Sequence, residues 1–180
     1  MRSRSVIFLI AVFVAYAFTS AVSAAPAQDR RSALDYFREA GDYWLEGDFK
    51  KALVPYQKAF EMEKAHRTLD KSRWRVLVEN LAACYGILGR EKNDFRKSKE
   101  MFEYGISKDP DYPMFYYGLA CTYSEMNNME KAIEYLKDAF ERRHNLVRGQ
   151  QMPTPETDPS FQRFIGNDKF IEALQGLDRS

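Results

Sequence analysis

The sequence predicts an all-α fold in which antiparallel helix hairpins stack into a short α-solenoid. The first observation is the segment GDFKKALVPYQKAFE (47–61), where a Gly-Asp turn leads into a helix with large and small side chains alternating on one face. The residues on that face are Phe49, Ala52, Tyr56 and Ala59, spaced three, four and three apart. Because the small side chains leave room between the large ones, such a face allows a second helix to pack closely.

The second observation is that this pattern recurs. Segments 93–105 (NDFRKSKEMFEYG) and 127–139 (NNMEKAIEYLKDA) have the same spacing, and the equivalent Ser98 and Ala132 lie 34 residues apart. Each copy also follows a helix whose own residues are spaced four and three apart: Tyr36, Ala40 and Tyr43; Val78, Ala82 and Tyr85; Tyr116, Ala120 and Tyr123. The sequence therefore predicts three hairpins, at 33–65, 72–109 and 112–145, and the second hairpin has an insertion in its turn.

Paired helices at this period, with small residues in register, resemble tetratricopeptide repeats. The segment LACTYSEMNNMEKAIEYLKDAFE (119–141) has the strongest similarity. The resemblance implies a non-catalytic scaffold or adaptor for protein–protein interaction, and it names no partner. The residues expected to pack the repeats are Ala40, Tyr43, Ala52, Tyr56, Ala59, Ala82, Tyr85, Ser98, Phe102, Gly105, Ala120, Tyr123, Ala132, Leu136 and Ala139.

Two features depart from a plain repeat. Pro55 lies inside the second helix of the first hairpin, where it removes one backbone hydrogen bond, so we expect a bend near Lys51–Tyr56. After a loop at 146–157, residues 158–180 contain two short apolar segments that begin at Asp158-Pro159 and at Asp168. We interpret them as capping helices that cover the last repeat, as in many exported bacterial repeat proteins that they resemble; the alternative is a separate motif that another protein recognises.

The N-terminus has the pattern of a secretory signal peptide. Arg2 and Arg4 precede an apolar stretch over 6–18, and small residues predict cleavage between Ala24 and Ala25. The apolar stretch is shorter than the roughly 20 residues of a membrane-spanning helix. We therefore expect a signal peptide at 1–24, a linker at 25–32, and a mature protein without a membrane span that is periplasmic or secreted. Membrane anchoring by an uncleaved N-terminal segment is the alternative.

The sequence contains no motif that is typical of a metal-binding, phosphate-binding or catalytic site. His66 and His144 lack the spacing of metal ligands, and the sequence has no phosphate-binding loop or nucleophile motif. The 27 basic and 26 acidic side chains are interspersed, which disfavours nucleic-acid binding. We expect no enzyme activity, cofactor or metal. Cys84 and Cys121 lie on neighbouring helices of adjacent hairpins, and whether they form a disulfide stays open.

The candidate site is a groove lined by the first helix of each hairpin. It comprises Phe37, Trp44, Glu79, Asn80, Tyr117 and Cys121, with small residues such as Gly41, Ala83 and Gly86 between them. Aromatic side chains at both ends suit an extended peptide or an inserted helix. Two alternatives remain: these rings complete the core, or the groove closes into a pocket and serves a small-ligand-binding accessory subunit of a transport or envelope enzyme system. The oligomeric state is left open.

Overall fold

The computed structural model describes residues 31–177. The regular secondary structure of these residues is helical, and they contain no strand. The α-helices of this part of the chain are α1 Ala33–Leu45, α2 Phe49–Ala65, α3 Lys71–Gly89, α4 Arg96–Lys108, α5 Pro113–Glu125, α6 Met129–Glu141 and α7 Asp168–Leu177. Short 3₁₀-helices are formed by Arg90–Lys92, Arg143–Asn145 and Pro159–Phe164. The predicted all-α fold is confirmed. The predicted signal peptide, its cleavage site at Ala24 and Ala25, and most of the linker lie outside the described residues.

Local sequence signals explain where the helices begin. Ser32 and Asp35 form a reciprocal capping box at the start of α1. Before α2, α3 and α6 stand Asp48, Asp70 and Asn128, and each of these side chains accepts a hydrogen bond from the backbone N–H three residues later. These contacts satisfy backbone donors that a helix leaves unpaired in its first turn.

Each of the three hairpins turns through one residue with a left-handed backbone. The residues are Gly47 between α1 and α2, Asn93 between α3 and α4, and Asn127 between α5 and α6. Glycine and asparagine tolerate this conformation better than other residues do. The insertion in the second hairpin is taken up by the 3₁₀-helix Arg90–Lys92, which extends the end of α3.

Consecutive helices pack against one another in chain order, α1 on α2, α2 on α3, and so on to α6. The small residues expected at the helix contacts are buried, as are Tyr56, Phe102 and Leu136. Three tyrosines of that set, Tyr43, Tyr85 and Tyr123, are half-buried, and Tyr123 stacks on Tyr135 at a ring separation of 5.4 Å. The helices therefore pack closely where large and small side chains alternate in the sequence.

Pro55 lies within α2, which runs without interruption from Phe49 to Ala65. The proline is buried, so its ring contributes to packing although its nitrogen cannot donate to the carbonyl of Lys51. The helix thus continues through the proline, and a bend at this point stays a prediction.

The residues after the third hairpin pack against α5 and α6. Phe161, Phe164, Phe170, Leu174 and Leu177 belong to one buried cluster with residues of these two helices, among them Tyr116, Tyr117, Ile133 and Leu136. The first of the two predicted capping helices is a 3₁₀-helix, Pro159–Phe164, and the second, α7, includes Gly176. Among residues 31–177, no helix has both the length and the apolar character required to cross a bilayer.

Candidate binding surface and cavity

The predicted groove residues fall into two groups. In the first, Phe37 and Trp44 of α1 pack on Tyr56 of α2 with ring separations of 6.3 and 6.5 Å, and Asn80 of α3 donates a 2.8 Å hydrogen bond to the Tyr56 hydroxyl. Burial raises the pKa of Tyr56 to about 12, so the phenol stays protonated at neutral pH. Phe37, Gly41, Trp44 and Asn80 remain half-buried, and we call these four residues the α1–α3 surface.

The second group, Glu79, Tyr117 and Cys121, lines a partly enclosed cavity of about 270 Å³. The cavity lies between α3, α4 and α5, and Asp158, Pro159 and Ser160 form part of its wall. Its apolar and aromatic lining consists of Ala83, Ile87, Phe95, Phe102, Met114 and Tyr117. Glu79, Tyr117 and Cys121 thus line one site, whereas Phe37, Trp44 and Asn80 lie outside this lining.

The chain following α6, residues 143–177, is held across α3 and α5 by specific hydrogen bonds, and we call it the C-terminal segment. The Gln150 amide donates to Glu79 Oε2 over 3.2 Å, and the single O–H of Tyr112 is shared between the acceptors Glu79 Oε2 and Gln150 Oε1. Further along, the Ser124 hydroxyl donates a 2.6 Å hydrogen bond to the Ser160 carbonyl. These contacts fix one wall of the cavity.

A buried ion pair supports the start of this segment. The Arg75 guanidinium donates to both carboxylate oxygens of Asp109, over 2.7 and 3.2 Å, and to the Asn145 carbonyl over 3.0 Å. The Arg75 and Asp109 side chains are 11% and 6% exposed. One guanidinium thus joins α3, the end of α4 and the chain after α6, and it fixes the chain at Asn145, just before residues 146–157.

Asp158 links the C-terminal segment to the cavity and was not among the expected site residues. It accepts hydrogen bonds from the Tyr117 hydroxyl at 2.9 Å and from the Ser160 backbone at 2.8 Å, and the Cys121 thiol lies 3.9 Å from Oδ2. In the sequence, the Asp-Pro pair predicts only a helix start. The long-range contact with Tyr117 has no sequence signal, because it joins residues 41 positions apart.

The acidic side chains around the cavity differ in whether their partners are charged or neutral. Arg90 forms an ion pair with Glu125 at 2.6 Å, and Arg163 also contacts Glu125. In contrast, the hydrogen bonds described for Glu79 and Asp158 within residues 31–177 come from neutral donors. Burial raises the pKa of the Glu79 carboxyl, although hydrogen bonds from Tyr112 and Gln150 act in the opposite direction.

The two cysteines are not joined by a disulfide. Cys84 is fully buried in the core, and burial raises the pKa of its thiol to about 12. Burial also raises the pKa of the Cys121 thiol, and the nearby Asp158 carboxylate acts in the same direction. Both thiols are therefore protonated and weakly nucleophilic. Within residues 31–177, the His, Cys, Asp and Glu side chains form no group of three or more placed to hold a metal ion.

Comparison with known proteins supports the assignment of a repeat. Residues 115–145, which contain α5 and α6, match the family model of the tetratricopeptide repeat. No curated protein matches the chain. The tetratricopeptide repeat suggests a scaffold for protein–protein interaction, and this helical repeat fold is typically non-catalytic. The resemblance found in the sequence is thus confirmed for the third hairpin.

Proposed function

We propose that this protein is a non-catalytic scaffold that binds a protein partner through the α1–α3 surface. The observation that carries this proposal is the tetratricopeptide match at residues 115–145, in a chain whose two preceding helix hairpins pack in the same way. Stacked repeats of this kind present an extended surface formed by one helix from each unit. The partner binds there without any chemical reaction.

The α1–α3 surface suits a partner because its aromatic rings are partly exposed and no neighbouring atom obstructs Gly41. Phe37 and Trp44 are half-buried, and a Cβ atom placed on Gly41 between them would have no atom within 4 Å. The hydrogen bonds of the C-terminal segment described above are made to α3 and α5, so they do not occupy this position. Rigid, partly exposed aromatic rings are favourable anchors for a peptide or helix.

The scaffold acts after export, in the periplasm or outside the cell. This part of the proposal is supported by the sequence of residues 1–24, with two arginines, an apolar stretch and a small-residue cleavage site. Recovery of the exported protein with Ala25 as its first residue is the expected result of N-terminal sequencing. An intact N-terminus on membrane-bound protein would instead favour an uncleaved anchor.

Affinity capture from the exported fraction of the native cell tests the scaffold proposal. The bait is the purified protein, and the informative variant is Gly41→Arg, which places a long charged side chain on the α1–α3 surface where no neighbour obstructs it. The matched control is Gly176→Arg, another helical glycine with open space, at the exposed end of α7. Both variants must keep the wild-type helicity.

We expect the wild-type and Gly176→Arg baits to capture the same protein, which mass spectrometry identifies and calorimetry confirms as a direct ligand. Gly41→Arg should lose it, because the charged side chain blocks the anchors. Equal binding by all three baits would place the interaction elsewhere on the protein and would reject the α1–α3 surface.

A second function is favoured by a different observation, the cavity of about 270 Å³. Ligand pockets are concave, mostly apolar and supplied with a few polar groups, and the space between α3 and α5 has this character. In this second candidate the protein is a small-ligand-binding accessory of a transport or envelope enzyme system. The wall formed by Asp158–Ser160 supports this second candidate, because it partly encloses the space between α3 and α5.

A further inference from the structure

The size and walls of the cavity limit what it can hold. Its volume of about 270 Å³ lies just below the roughly 300–1,000 Å³ of pockets that enclose drug-sized ligands. The aromatic side chains in its wall, Phe95, Phe102 and Tyr117, are all buried. A compact ligand with one ring or a short aliphatic chain therefore fits, and it gains free energy by leaving water.

The charges of the wall define the polar part of the ligand. The lining residues include the carboxylates of Glu79, Glu125 and Asp158, with Arg90 as the one base among them. Because Arg90 is paired with Glu125, the lining carboxylates left with neutral partners within residues 31–177 are Glu79 and Asp158. A cation would complement this wall, and an anion would be repelled.

The two carboxylate oxygens of Glu79 differ in the hydrogen bonds that they accept. Both hydrogen bonds to its carboxyl, from Tyr112 and from Gln150, go to Oε2. Within residues 31–177, Oε1 accepts no described hydrogen bond, although this side chain lines the cavity. A protonated amine, which has several N–H donors, can use Oε1 and at the same time lie near the ring faces of the wall.

We infer that the cavity between α3 and α5 binds a small molecule that has an apolar body and a single protonated amine. Glu79 and Asp158 neutralise the ammonium group, and the apolar and aromatic side chains enclose the rest of the ligand. A bound ammonium group favours the ionised form of the Glu79 carboxyl and so opposes the effect of burial on its pKa. The inference rests on the second candidate function, since it names the chemical class of that ligand. It does not require the α1–α3 surface, so it stands or fails independently of the scaffold.

Calorimetric titration of the full chain at pH 7 with three probes of similar shape tests the inference. The probes are phenethylamine, whose amine is protonated at this pH like that of lysine, the neutral 2-phenylethanol, and the anionic 3-phenylpropionate. We expect the amine to bind at least about tenfold more tightly than the alcohol, and the carboxylate to bind more weakly than either. Equal affinities for amine and alcohol, tighter binding of the carboxylate, or no binding of the amine would overturn the inference.

Variants locate the site. Glu79→Gln and Asp158→Asn should each reduce the preference for amine over alcohol several-fold, because each removes a negative charge but keeps a side chain able to form hydrogen bonds. The matched control is Glu156→Gln, an exposed carboxylate outside the cavity lining, which should leave the preference unchanged. Ala83→Phe should fill the cavity and abolish binding of both ligands. An unchanged preference in both cavity variants, or unchanged amine binding in Ala83→Phe, contradicts the assignment.

The two proposals can fail separately. Gly41 is not part of the cavity lining, so Gly41→Arg should keep its amine binding even when it loses the captured protein. Loss of capture with intact amine binding supports both proposals. Capture without any amine binding rejects the cavity inference alone.

Discussion

At the scale of single residues, the small side chains determine how closely the helices approach. A Cβ atom on Gly118 of α5 would lie 2.1 Å from the ring of Phe102 on α4, which is far inside van der Waals contact. The ring has little freedom to move away from α5, because Phe102 is 3% exposed. The packing therefore requires a glycine at position 118, whereas a Cβ atom on Gly41 would have no atom within 4 Å.

Alanine substitution of these two glycines should change the free energy of unfolding in opposite directions. Gly118→Ala should lower the free energy of unfolding by about 1–3 kcal/mol, the usual cost of overpacking a core. Gly41→Ala should raise it by about 0.5–1 kcal/mol, because alanine favours the helix and meets no neighbour. Urea unfolding followed by circular dichroism measures both. Equal changes in the two variants would show that α4 and α5 are not packed as described.

The pair of Arg75 and Asp109 predicts a dependence of stability on pH. Burial by itself would raise the pKa of Asp109, but hydrogen bonds and charge from Arg75, together with Lys71, outweigh it and lower this pKa. A carboxyl with a lowered folded-state pKa stabilises the protein above its unfolded pKa, near 4, and this stabilisation is lost as the pH falls through the folded-state value.

Asp109→Asn should therefore cost about 3–5 kcal/mol at pH 7, since it leaves a buried guanidinium without its counter-charge. The difference from wild type should become smaller as the pH falls below 4. Unfolding by urea across this pH range measures it. Asp94→Asn is the control, because Asp94 and Arg96 form an exposed ion pair, and we expect little change there. A difference that does not vary with pH would contradict the assignment.

At the scale of helices, the spacing of large and small residues predicts three hairpins, and each predicted range corresponds to two α-helices of the structure. The expected hairpin at 33–65 corresponds to α1 and α2, the one at 72–109 to α3 and α4, and the one at 112–145 to α5 and α6 with the following turn. Helical spacing is repeated along each segment, so many residues support each prediction. The caps Asp48, Asp70 and Asn128 supply the boundaries independently.

The path of the C-terminal segment was not predictable in the same way. Its position depends on single contacts such as Gln150 with Glu79 and Asp158 with Tyr117, which join residues 71 and 41 positions apart. Such contacts leave no periodic pattern in the sequence. For this reason the sequence predicts one groove and leaves its closure into a pocket open, and the separation of a surface at α1 from a partly enclosed cavity at α5 is visible only in the structure.

The C-terminal segment should be necessary for stability. Phe170 of α7 is 0% exposed and packs on Phe161 and Phe164 at ring separations of 5.8 and 5.6 Å. Phe170→Ala should cost about 3–5 kcal/mol of unfolding free energy, because it leaves a cavity beneath α7. The neighbouring Lys169→Ala, at an exposed position, is the control. Wild-type stability in Phe170→Ala would mean that the segment is not packed on the third hairpin.

At the scale of the whole described chain, residues 31–177, two buried clusters meet at α5. One contains residues of α1 to α5 and the other joins α5 and α6 to the C-terminal segment. Helices α1, α3 and α5 share the predicted groove, but the C-terminal segment lies on the part formed by α3 and α5. We therefore propose two separate sites, a surface on α1 and α3 that binds a partner and a partly enclosed cavity between α3 and α5 that binds a small ligand.

Hydrogen exchange of the protein alone and in complex with its captured partner tests that claim most directly. We expect the bound partner to slow amide exchange in α1 and in the middle of α3, at residues 34–45 and 76–87, and to leave α4, α6 and α7 unchanged. Protection confined to α2, α4 or α6 would instead place the partner on the opposite helices of the hairpins and would reject the α1–α3 surface.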